Sequence, residues 1–334
     1  MFAQAQRYFP GLLTCATIAM ASTFIAEHYG GPVMLFALLF GTAFHFLSET
    51  PRCAVGIEFC ATTLLRLGVA LLGFRMTFEQ IENLGYMPIG IVLASVIMTI
   101  AMGVLVARLL GLSSFLGILA SCAVAICGAS AALAVAAILP FYKDKERDTI
   151  FVVVIVTALS TIAMIFYPVL AQNIGLSPDQ MGVFLGGTIH DVAQVVGAGY
   201  SISDPVGDVA TVIKLFRVAL LVPVVIFFSL LLRKHHPQHA SRSILQTVPT
   251  FLIAFSLFVV INSIGLVPAV ISEGLSDLSR WLLLLAIAAL GVKTSFQALG
   301  QVGIKPIVLM VIGTLILALL MWLAEIYFMS TTVR

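Results

Sequence analysis

Eleven apolar runs dominate this chain and constrain what it can fold into. They cover about residues 10–26, 32–47, 57–74, 87–110, 113–140, 149–171, 178–201, 209–232, 248–266, 278–292 and 304–327. A helix needs about 20 mostly apolar residues to cross a bilayer, and most of these runs approach that length. Alternating strands of about ten residues are missing, which excludes a membrane β-barrel. Composition agrees. The chain is 61% hydrophobic and 10% charged, with a mean hydropathy of +1.14. Soluble domains are about 45–50% apolar and about 25% charged. The expected fold class is therefore an all-α membrane protein, organised as one multi-pass domain over residues 1–334.

Net charge is +2, too small to point to nucleic acid. Residues 1–28 place one arginine before an apolar run, and no clear small-residue cleavage site follows. A first transmembrane helix is expected there rather than a cleaved signal peptide. Cys15, Cys53, Cys60, Cys122 and Cys127 form no CxxC and mostly lie in apolar runs, so buried free thiols are expected.

Loop charges bear on topology, because Lys and Arg concentrate in short cytoplasmic loops. Arg66, Lys214, Arg217 and Lys293, inside an apolar run or at its end, are set aside, and the other 13 of the 17 basic residues lie in loops, in tails or within the first or last few residues of a run. If all eleven runs cross, those 13 split 7 to 6 between the two sides, which is no bias. If 113–140 and 178–201 instead enter and leave on the same side, the split becomes 10 to 3. The expected topology is nine full spans plus two re-entrant or broken segments. Each of those two segments carries a small-residue interruption near its middle, ICGASAA (126–132) and LGGTIHD (185–191). Irregular backbone at membrane depth is tolerated only where protein buries it or it lines a wet cavity.

An internal repeat supports this reading. LGFRMTFEQIENLGYMP (72–88) and LGVKTSFQALGQVGIKP (290–306) match at Leu72/Leu290, Gly73/Gly291, Phe78/Phe296, Gly85/Gly303 and Pro88/Pro306. Arg75/Lys293 and Thr77/Ser295 are similar pairs. A weaker match pairs the surroundings of Ser130 and Asp148 with those of His190 and Asp208. The loop-charge topology gives the copies opposite orientation, with repeat-related parts around 57–171 and 178–327. Inverted repeats whose broken segments meet near the midplane are the architecture of secondary transporters.

The candidate site residues cluster at the two interruptions. In the second, Gly187 and Thr188 precede His190, Asp191 and Gln194 at the start of a half-helix, where free N–H groups favour an anion. A coupling proton is expected on His190 or Asp191. Asp191 is expected either to cap the half-helix or to join the site. In the first interruption, Gly128, Ala129 and Ser130 permit close backbone approach. Lys214 and Arg217, at i and i+3, share a helix face deep in an apolar run. A charge at that depth costs about 2.5–3.5 kcal/mol, so an interior role is expected. Arg66, expected to pair internally with Glu58 or to anchor at the membrane interface, and Lys293 with Ser295 are secondary candidates. His235, His236 and His239 read as a solvated basic loop rather than a metal site. No cofactor or metal motif is present, and no convincing nucleophile–base set or HExxH pair indicates an enzyme.

Taken together, ICGASAALAVAAILP, GGTIHDVAQVVGAGY, ATVIKLFRVALLVPVV and LAIAALGVKTSFQALG resemble the YeiH-type family of sulfate exporters, long catalogued as uncharacterised bacterial membrane proteins. The resemblance runs over nearly the whole chain in order. Where the family continues CGASAIAA, this sequence has Ala132 and Leu133, a small apolar change. The resemblance implies an inner-membrane secondary transporter of sulfate or related sulfur oxyanions. The expected partners are a small anion, a coupling proton and the lipid bilayer, and the sequence leaves open whether the chain forms a homo-oligomer. Transport of organic or carboxylate anions is the first rival, and an intramembrane enzyme or a receptor role the remote ones.

Overall fold

The structure, a computed structural model, describes residues 2–233, 249–294 and 303–326. Among them every regular element is helical. In chain order they are α1 (Phe2–Tyr29), α2 (Val33–Ala43), α3 (Pro51–Phe59), α4 (Leu65–Leu71), α5 (Phe78–Asn83), α6 (Tyr86–Leu109), α7 (Ser114–Ala125) and α8 (Ala129–Ile138). There follow α9 (Lys145–Asn173), α10 (Pro178–Thr188), α11 (Val192–Tyr200), α12 (Asp204–Ala219), α13 (Leu221–Arg233), α14 (Thr250–Ser263), α15 (Ala269–Lys293) and α16 (Ile304–Ala324). A π turn joins α3 to α4, and a 3-10 turn extends α4 to Arg75.

Each of the eleven apolar runs becomes one helix or a broken pair. Among the described residues, seven helical stretches are long and apolar enough to cross a membrane. Two of the nine expected spans are shorter. Run 32–47 yields α2, of 11 residues, and run 248–266 yields α14, of 14. At 1.5 Å per residue these are about 17 and 21 Å long, against a hydrocarbon core of about 30 Å. Turn chemistry sets several starts. Ser177 accepts from Gln180 N while Gln180 returns its side chain to Ser177 N, with Pro178 at the first helical position, and this capping box opens α10. Thr77 and Gln80 open α5 in the same way.

The described chain divides into two compact units, each assembled from separate stretches. One comprises Met1–Leu84, Val196–Asp208 and Thr250–Ser295, the other Gly85–Val195, Val209–Pro249 and Phe296–Arg334. In the first unit, glycines let helix backbones touch. A Cβ on Gly11 of α1 would lie 2.2 Å from the Cys53 carbonyl oxygen of α3, and one on Gly41 of α2 would lie 2.5 Å from the Ala288 carbonyl oxygen of α15. Association through small residues is the usual solution where lipid removes the hydrophobic drive between helices. The second unit uses the same device where α12 presses on α10, since a Cβ on Gly186 would lie 2.4 Å from the Ala210 carbonyl oxygen.

At offset 218 two helix boundaries coincide. One copy ends a helix at Arg75 and starts α6 after Gly85, and the other ends α15 at Lys293 and starts α16 after Gly303. Ser295 and the three loop histidines lie outside the described residues. All five cysteines are free thiols, with only Cys53 partly exposed.

Candidate functional site

The two interruptions are real breaks. Residues 126–128 separate α7 from α8, and residues 189–191 separate α10 from α11. A helix end leaves its last carbonyls without intrahelical partners, and such groups need donors when buried away from water. Gly128 makes the first break possible, with φ of +66°, a conformation that side chains disfavour. The second break lies against it. A Cβ on Gly128 would meet the His190 Cβ at 3.6 Å.

Three side chains supply the missing donors. Arg217 is the largest fully buried side chain of the described residues, and Lys214 is also fully buried. Arg217 donates from Nε to Ala125 O (3.2 Å), from Nη1 to Gly186 O and Ile189 O (both 3.1 Å), and from Nη2 to Val124 O (3.2 Å) and Ala125 O (2.9 Å). A guanidinium has five N–H donors, and this one spends all five on the carbonyl ends of α7 and α10. Lys214 Nζ donates to Ile126 O (2.7 Å) and Ile189 O (3.0 Å), which accounts for two of its three protons. His190, fully buried, has Nδ1 at 3.0 Å from Val124 O and Nε2 at 3.0 Å from Thr314 Oγ1. A carbonyl only accepts, so Nδ1 carries the proton and Nε2 accepts from Thr314. The two cations also sit where two helix dipoles present their negative ends.

Beyond this knot the breaks become accessible. Ala129 and Asp191 are half-buried and Ser130 is exposed. The Asp191 carboxylate accepts from Ala193 N at 2.9 Å, so it caps α11, while its own N–H donates to Ser160 Oγ at 2.9 Å. Gln194 Nε2 donates to Thr161 Oγ1 at 2.9 Å, and its Oε1 is buried with no hydrogen-bond partner among the described residues. Thr188 turns back on its own helix, donating to Phe184 O at 2.6 Å. Gly187 admits Met321 of α16, whose Cε would lie 2.2 Å from a Cβ placed there.

The second unit thus gathers ten of the sequence-expected residues: Gly128, Ala129, Ser130, Gly187, Thr188, His190, Asp191, Gln194, Lys214 and Arg217. Arg66 and Lys293 belong to the first unit. Of the two roles expected for Arg66, the ion pair with Glu58 does not form. Glu58 pairs with Lys293, and Arg66 lies on an exposed face of α4. Their separation of eight residues includes the π turn at Cys60–Leu64, which shifts the helical register between them. Ser160, Thr161 and Thr314 were not among the sequence candidates. Each is a hydroxyl inside an apolar run, a signal that a search confined to charges and glycines passes over.

A family model described as "Conserved hypothetical protein 698" matches residues 10–310. A UPF0324 membrane protein of Chlorobaculum tepidum is 53% identical over 97% of this chain and 90% of its own length. The chain belongs to the UPF0324 family of membrane proteins. This accords with the YeiH-type resemblance of its motifs. Other UPF0324 relatives include one from Rhizobium meliloti, 50% identical over 97% of this chain and 94% of its own length. The UPF0324 membrane protein TauZ of Paracoccus denitrificans is 47% identical over 93% of this chain and 92% of its own length. No solved structure matches the chain significantly. With its seven long apolar helices, this UPF0324 chain is a multi-pass membrane protein of bacterial type.

Proposed function

We propose that this protein is a secondary active transporter of the bacterial inner membrane that exports or exchanges a small inorganic sulfur oxyanion of the sulfate or sulfite kind. One observation carries the reading. Two cations, fully buried, meet at the point where two broken helices end and two begin. Paired broken helices of opposite orientation form the substrate sites of inverted-repeat transporters, and the matched helix boundaries at offset 218 support that architecture. Nine spans with two re-entrant segments is the topology that goes with it.

The roles differ from residue to residue. Arg217, with its donors saturated, positions the breaks and contributes field. Lys214 retains one proton beyond its two carbonyls and is the cation that can turn to an anion. Substrate meets the exposed side of the first break, where α8 opens without a side-chain cap and Ser130 offers a hydroxyl. Asp191 holds α11 in place. His190 acts as a fixed strut between Val124 and Thr314 rather than as a mobile proton carrier. The arrangement contains dipoles and donors suited to binding and no reacting pair, so transport rather than chemistry is the activity proposed.

Proteoliposomes loaded with unlabelled sulfate or sulfite test this by counterflow of the labelled ion. Wild-type protein gives counterflow and Lys214→Met abolishes it while remaining folded. Counterflow of a labelled dicarboxylate but of neither sulfur oxyanion would transfer the assignment to organic anions. Full activity in Lys214→Met would refute the site.

A further inference from the structure

At the far end of α16 a carboxylate is buried. Glu325 has 0% exposure, and neither of its carboxyl oxygens has a hydrogen-bond partner among the described residues. It ends a face of α16 that runs along the candidate site. Thr314 bonds His190, Met321 packs on Gly187, and the Glu325 carbonyl accepts from Gln180 Nε2 at 3.3 Å. Gln180 belongs to the capping box that starts α10, the helix whose other end is the second break.

Among the described residues, the helices packed on α16 bring no counter-charge to this end. On α10 the acid in the first turn is Asp179, which is exposed. On α9 the titratable group near Phe184 is Tyr167, tilted against that ring at 5.5 Å. Gly111, just beyond α6, lies near the Lys305 ammonium in the first turn of α16, so α6 runs antiparallel to α16 and brings Tyr86 to the Glu325 end, where Tyr86 is 90% exposed. On α7 the ionisable side chain is Cys122, and Lys305 stands at the opposite end of α16. An ionised carboxylate with neither water nor a partner costs several kcal/mol. A protonated one needs much less.

We infer that Glu325 is a proton-binding site of this protein, neutral in the conformation described and exchanging its proton with water when the contact between Gln180 and the end of α16 opens. In that step the carboxyl O–H bond breaks, the proton passes to a water molecule, and the carboxylate left behind is hydrated. Closing reverses it. The inference rests on the transporter reading and supplies its coupling ion.

Infrared difference spectroscopy on the purified full chain at neutral pH tests the protonation directly. Wild type shows a protonated-carboxyl C=O band that disappears in Glu325→Gln, and an unchanged band in that variant overturns the inference. In proteoliposomes Glu325→Gln keeps counterflow close to wild type but loses the response to an imposed pH gradient, about tenfold per pH unit for one coupled proton. Retention of that response also overturns it. If Glu325→Gln fails to fold, Glu325→Asp takes its place and should shift the band while keeping the gradient response; an unshifted band counts against Glu325. Wild-type vesicles that show the band but no counterflow would refute transport, and with it a carried proton, while leaving the buried acid in place.

Discussion

Two groups of cations brace this molecule, and they choose opposite kinds of partner. In the unit with the broken helices, Lys214 and Arg217 are fully buried and donate to backbone carbonyls at the helix ends. In the other unit, Arg75 and Arg280 meet the carboxylates of Asp204 and Asp208, all partly exposed. A carboxylate taken into the interior brings a desolvation cost of its own. The ends of broken helices bring partial negative charge and unsatisfied oxygens that must be buried in any case. Breaking α7 and α10 therefore creates a need that buried cations meet, and the cations need such breaks to be buried at all. At the other cluster neither side depends on the other so strictly, because water stands in for a lost partner.

The sharpest way to break this contrast is Arg217→Ala. The Ala125 and Gly186 carbonyls lose the side-chain donor they have, at about 1–3 kcal/mol for each buried group left unsatisfied. The expected result is little monodisperse protein on size exclusion in detergent, or a melting transition far below wild type. Arg217→Lys should recover only part of the loss, since three donors cannot serve five contacts. A wild-type melting curve for Arg217→Ala would show that the carbonyls find water and that the two clusters are energetically alike.

How much of this was legible in the sequence follows from what each signal measures. Run length and loop charge respond to the bilayer, so every apolar run reappears as a helix or a broken pair, and the small-residue interruptions at 126–128 and 189–191 fall where the helices break. Charge at depth is conspicuous, so Lys214 and Arg217 stood out. Their partners did not, because a carbonyl oxygen is present at every residue and its need for a donor appears only once the helix end is known. The Arg66–Glu58 pairing failed for a similar reason, as a π turn between them carries no sequence mark strong enough to correct the spacing. Glu325 was readable and missed. Attention to basic residues inside apolar runs left out the acid at the end of 304–327. The lengths of α2 and α14 were overestimated because apolar sequence continues past the point where the backbone turns.

Asp191 lies between the two regimes, a partly exposed carboxylate beside the buried cations, and it sharpens the comparison with a smaller effect. Its carboxylate caps α11 through Ala193 N. Asp191→Ala should lower stability by about 0.5–2 kcal/mol, the usual loss for an N-cap, whereas Asp191→Asn keeps the cap and should melt within a few tenths of wild type. If asparagine proves as harmful as alanine, the charge of Asp191 offsets Lys214 and the knot is only partly answered by helix ends. Parallel melts of the two variants in the same detergent decide between the two.

The smallest effect is expected at the exposed cluster. Asp204 contacts Arg75 at 2.9 Å and Arg280 at 2.8 Å, and the Asp204 and Arg280 side chains are each 50% exposed. Pairs this wet contribute about 0–1 kcal/mol. Asp204→Asn should therefore move the melting transition little, and by less as salt rises, since the Debye length shrinks from about 10 Å at 0.1 M to about 3 Å at 1 M. Asp208 limits the damage further. It holds Arg75 Nε at 2.9 Å and accepts from the Tyr200 hydroxyl at 2.6 Å, so Arg75 keeps one carboxylate when the other is neutralised. Its remaining contact is the Tyr200 ring, 5.2 Å from the guanidinium carbon, and removing the acid leaves that interaction in place. A loss in Asp204→Asn comparable to that in Arg217→Ala, and insensitive to salt, would mean that this cluster too is shielded from water, and the division between carbonyl-bound and carboxylate-bound cations would no longer follow burial.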